Sequence, residues 1–93
     1  MKLFEIFPGD ASPEIGNALN SFYDKAYEYV HGSVEDQHKA YYMLIFHKNF
    51  KIGFFNQCIE VIEKADTDVK PLIPSILWNY AEKNRQSTLV KFP

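Results

Sequence analysis

Cysteine occurs once in the 93 residues, at Cys58, so no internal disulfide can form and a small secreted domain stapled by disulfides is excluded. Its neighbours Phe55, Ile59 and Ile62 suit a thiol buried as a small hydrophobe. Glycine is nearly as sparse, with four residues, and none belongs to a Gly-rich phosphate loop or a Gly-x-Ser-x-Gly elbow. Long apolar segments are missing as well. The opening Met1-Lys2-Leu3-Phe4-Glu5-Ile6-Phe7-Pro8 lacks the stretch of a signal peptide, and nothing approaches the roughly 20 apolar residues that span a membrane. A soluble chain in a reducing, cytoplasmic compartment is expected, with no membrane partner. Positive charge is not in excess either: a net charge of −2 sets up no general field for nucleic acid.

What is present is apolar and aromatic. Hydrophobic residues make up 46% and aromatic residues 16% of the chain, against 24% charged, which places it among folded globular domains rather than disordered segments. Such a length predicts one domain, residues 1–93, burying more than roughly 60% of the surface its unfolded form exposes. Charge is uneven along it. Residues 1–36 carry seven acidic side chains against two basic ones, whereas residues 37–93 carry eight basic against five acidic. The first third is an acidic element.

Helical spacing dominates the pattern. Ser12-Pro13-Glu14 reads as an N-cap followed by proline at the first helical position, and Ile15, Leu19, Phe22, Ala26 and Tyr29 recur on one stripe, predicting a first helix from about Pro13 to Val30. His31-Gly32 closes it. Ser33 caps a second helix that runs to about Lys48, with Asp36 three residues on in a near capping box. This helix carries Ala40-Tyr41-Tyr42-Met43-Leu44-Ile45-Phe46, seven apolar residues in succession, and a helix apolar on every side must be covered on every side. Asn49 to Gly53 is a break, after which Phe54, Phe55, Cys58, Ile59, Val61 and Ile62 form the face of a third helix ending near Ala65. Pro71 and Pro74 both resist interior helical positions, so a fourth helix is expected to begin between them and run to about Asn84, burying Ile73, Ile76, Leu77, Tyr80 and Ala81. The end segments Leu3 to Phe7 and Thr88 to Phe92 are apolar and too short for helices, which suggests extended segments docked on the bundle. The expected fold class is mainly α: a compact bundle of about four helices around a buried second helix, with short extended terminal segments.

The segment from Tyr42 to Pro71, about a third of the chain, resembles one tetratricopeptide unit, with Tyr42, Ile45, Gly53, Phe55, Cys58, Ile62 and Ala65 near the positions that pattern fills. Bulky Phe46 stands where that family holds a small residue. The resemblance implies a helical hairpin and carries no function over.

Two Glu-x-x-His elements, Glu28 to His31 and Glu35 to His38, are the only credible metal-ligand set, because i and i+3 side chains share a helix face. They flank one turn instead of lying inside separate helices, and Glu60, Glu63 and Glu82 fall on polar faces, so neither a metal nor any other cofactor is expected. His38 and His47, nine residues apart on one helix, point to opposite sides, and Cys58 has no paired base identifiable in the sequence. Catalysis is therefore not expected. The stretch His47 to Phe54 interleaves basic and aromatic residues as single-strand nucleic-acid surfaces do, but two lysines are too few for a strong phosphate field.

What remains are binding surfaces. Tyr23 and Tyr27 border the apolar stripe of the first helix beside Asp24 and Glu28, and Glu35 and Asp36 follow across the turn. Tyrosines next to carboxylates suit recognition of a basic protein. Trp78 lies with Ser75, Glu82 and Arg85, off the Ile73, Ile76 and Tyr80 stripe, where it either anchors a contact or is covered by Leu89 to Phe92. The expected function is a non-enzymatic protein inhibitor or adaptor, for example of the immunity or phage-encoded type, whose acidic hairpin meets a basic partner through Tyr23, Asp24, Tyr27, Glu28, Glu35, Asp36 and Trp78. The rival is a homo-oligomeric binder of a nucleotide-like small ligand, stacked on the tyrosines.

Overall fold

Proline at position 13 opens α1 (Pro13–Val30), where a missing backbone N–H costs nothing, and the stripe of Ile15, Leu19, Phe22 and Ala26 is its buried face. The computed structural model describes residues 13–91, with side chains described for residues 13–85. The chain turns at Gly32, where a Cβ would stand 2.6 Å from a carboxylate oxygen of Asp36, so only glycine leaves that side chain in place. Ser33 then caps α2 (Val34–Lys51), its Oγ accepting the backbone N–H of Asp36 at 3.1 Å.

A Schellman motif stops α2: the N–H of Gly53 bonds to the carbonyl of Phe50, and that of Phe54 to the carbonyl of Asn49. Gly53 makes this turn possible with φ of 81°, a left-handed conformation that side chains resist. α3 (Phe55–Glu63) follows, then a loop and a 3₁₀ turn at Lys70–Leu72, and α4 (Ser75–Lys91) closes the described chain. The Pro74 carbonyl accepts the N–H groups of Leu77 and Trp78, starting α4 after the second proline and not between the two. Residues 88–91 continue α4 as helix, which replaces the extended segment expected there. The Leu3 to Phe7 segment lies outside the described residues.

The mainly α bundle is the architecture. α1 packs on α2, α2 on α3 and α3 on α4, and α4 returns to α1. One core joins Phe22 and Ala26 of α1, Met43, Phe46 and Phe50 of α2, Cys58, Ile59 and Ile62 of α3, and Leu77 and Ala81 of α4. The all-round covering expected for α2 is not what the seven-residue run receives. Ala40, Met43 and Phe46 are buried, Leu44 and Ile45 are half-buried, and Tyr41 is 60% exposed. Two flanking helices cover one side of α2, and tyrosine tolerates the other because its hydroxyl keeps water. Among the described residues there is no strand, and no helix is long and apolar enough to cross a membrane.

Candidate functional site

An exposed aromatic ladder runs along the α1–α2 hairpin. Tyr23 and Tyr27, four residues apart on α1, lie on one side of the helix with ring centroids 6.5 Å apart, and they remain 42% and 55% exposed. His31, four residues further, sets its ring 5.0 Å from Tyr27, edge to face. At the other end, half-buried His47 of α2 lies 5.0 Å from Tyr23. Burial, and then the Lys51 charge, holds the His47 imidazole below its ordinary value, which favours the neutral ring. Asp24 and Glu28 are exposed on the same helix. The structure leaves Tyr23, Asp24, Tyr27 and Glu28 exposed on α1 and sets His47 and His31 against the two tyrosine rings, histidines that the expected contact set does not include. The 23, 27, 31 spacing was the available signal.

Glu35 and Asp36 do different work. Both stand in the first turn of α2, where negative charge is favoured by the helix N-terminus. Glu35 pairs with Lys39 at 3.9 Å, and Asp36 is half-buried against Gly32.

The two Glu-x-x-His elements separate. His31 belongs to the ladder, whereas His38 Nε2 lies 2.6 Å from Asp66 Oδ1 in the loop after α3. Tyr42 donates its hydroxyl to the same oxygen at 3.2 Å. The His38 hydrogen bond holds the Asp66 carboxyl below its ordinary value, while partial burial and then Asp66 push the Tyr42 phenol up. This cluster ties α2 to the α3–α4 loop. An imidazole oriented by a carboxylate activates a nucleophile when one is within reach, but the chain's thiol is not such a group. Cys58 is fully buried, gives its S–H to the Phe46 carbonyl at 3.6 Å, and is pushed up to about 12 by burial. Among the described residues no group of three or more histidine, cysteine, aspartate or glutamate side chains is placed to hold a metal ion.

Trp78 sits apart from the ladder. Its indole packs on the core, nearly parallel to Phe46 with centroids 6.4 Å apart, and is half-buried rather than projecting from the polar side of α4. Lys70 stands over the ring with Nζ 4.6 Å from its centroid. The backbone of residues 89–91 continues α4 as helix and does not fold back over the ring, and Phe92 of the expected covering segment lies outside the described residues. A shallow groove of about 470 Å³ between α2 and α3 has half-buried Ile45 and Val61 flanked by Tyr42, Asn49, Gln57 and Lys64.

No protein-family model matches this chain, and no curated protein and no solved structure resembles it significantly.

Proposed function

We propose that this chain is a non-enzymatic protein-binding module, an inhibitor or adaptor, whose contact face is the ladder of Tyr23 and Tyr27 with Asp24 and Glu28 on α1. The single observation that carries this reading is the pair of exposed tyrosine rings held side by side between His31 and His47. Rigid aromatic rings with polar tips lose little side-chain entropy on contact and bury a large area, which is why tyrosine is enriched among binding hot spots. The two carboxylates beside them select a basic surface and speed its approach. Glu35 and Asp36 add to the field of this end of the hairpin without being contact residues.

The same tyrosines could stack on a planar small ligand, but such ligands are held in clefts that bury most of their surface. Neither tyrosine lines the α2–α3 groove or the clefts beside Trp78. That favours a protein surface over a nucleotide-like ligand. Quantitative capture from the native host tests the proposal, using the immobilised parent and Tyr23→Ala/Tyr27→Ala side by side. One protein retained by the parent and depleted on the variant is expected. Equal retention by both would remove the ladder from the interface.

A further inference from the structure

Two clefts meet over Trp78. One, of about 460 Å³, lies against the end of α3 and its loop and is lined by Glu63 and Asp66, among others; the second, of about 430 Å³, follows the 3₁₀ turn to Ser75 and Asn79. Asp68, Lys70 and Trp78 line both. The chain's own ammonium, 4.6 Å from the indole centroid, thus stands where the two clefts join.

The ring beneath it is a fixed platform. Phe46, fully buried, lies within 11° of parallel to the indole with centroids 6.4 Å apart, so the core sets the plane that Trp78 presents. The carboxylates around it differ in their engagements. Glu63 is within 4.0 Å of Arg85, and Asp66 holds His38 and Tyr42. Asp68, exposed and common to both clefts, is the carboxylate beside the platform that these pairs do not engage.

We propose that the two clefts are one binding site, a seat for the guanidinium of an arginine from a partner protein, and that Lys70 holds it closed from within. An indole with a cation over its face and a carboxylate at its side matches a guanidinium better than an ammonium. The guanidinium is planar and weakly hydrated, so it stacks on the ring while its in-plane N–H groups reach Asp68. The lysine ammonium is a compact, strongly hydrated charge on a flexible stem and leaves readily. The displaced ammonium swings into water but stays tethered to the chain, so the guanidinium adds one positive charge, which Asp68 offsets while the ring gains the stacking. This inference takes from the reading above only that the ligand comes from a basic protein; the seat shares no residue with the α1 ladder.

Trp78 is the only tryptophan, so its fluorescence reports this site alone. The full chain is titrated with acetyl-arginine amide and with acetyl-citrulline amide, its uncharged isostere. A saturable change in emission is expected with arginine and none with citrulline. Lys70→Ala, a surface change that leaves the core intact, should tighten arginine binding about three- to fivefold, the gain from removing one competing exposed cation–π contact. Asp68→Asn in the Lys70→Ala background should weaken it again. Asp24→Lys/Glu28→Lys should leave the titration unchanged, which separates failure of this seat from failure of the ladder. Citrulline titrating like arginine, no tightening in Lys70→Ala, or no saturable change in either protein would each overturn the proposal.

Discussion

The rings of Phe46 and Trp78 lie within 11° of parallel, 6.4 Å apart, and join the middle of α2 to α4. Phe46 also meets Phe22 of α1 nearly at right angles with centroids 5.7 Å apart, and its carbonyl accepts the Cys58 thiol of α3. One fully buried residue thus touches all the other helices. Phe46→Ala should cost about 3–5 kcal/mol, a loss close to the whole stability of a small domain, and should abolish a cooperative urea transition. Tyr41→Ala, five residues away and 60% exposed, should shift stability by no more than about 0.5 kcal/mol. Equal losses in the two variants would contradict the assigned core.

The His38–Asp66 pair sets an acid-dependent contribution to stability. Asp66 is held below its ordinary value of 3.8, first by the hydrogen bond from His38. A carboxyl held low stabilises the fold in full above its unfolded value and loses that contribution as pH falls through the folded one. The urea midpoints of the parent and Asp66→Asn should therefore differ at pH 5, and the difference should shrink as the pH falls from about 3.8 through the lower folded value. A difference that persists undiminished in acid would show that the carboxylate charge is not what holds the loop.

Cys58 should be silent in the native protein. Its thiol is fully buried and raised to about 12, so almost none is thiolate at pH 8. Labelling by a thiol-specific reagent should proceed only as fast as the fold opens, and urea above the transition should make it prompt. Prompt labelling without denaturant would contradict the packing of α3 on α2.

Where the residues that define an element are neighbours in sequence, the fold was legible. The Pro13 start, the Ile15 to Ala26 stripe, the Ser33 cap and the Gly32 and Gly53 turns all act within a few residues, and the structure repeats them. Thr88 to Lys91 misled because a short apolar run fits a strand as well as the last turn of a helix, and the preceding turns of α4 decide between them. Trp78 misled for a different reason: the residues that flank it, Phe46 and Lys70, come from α2 and the 3₁₀ turn. The Asp66 contacts with His38 and Tyr42 span 28 and 24 residues, beyond any periodicity. Of the surface, Tyr23, Asp24, Tyr27 and Glu28 were readable from one helix, whereas His47 needed the pairing of two.

The central claim, that the acidic tyrosine face of α1 receives a basic protein, is tested most directly by association kinetics with the captured partner at rising ionic strength. For the parent, the association rate should fall at least about tenfold as salt screens the approach, while the dissociation rate changes little. Asp24→Lys/Glu28→Lys, which exchanges exposed side chains and should leave the fold intact, should associate slowly at low salt and lose most of the salt dependence. An association rate indifferent to both salt and charge reversal would contradict the claim.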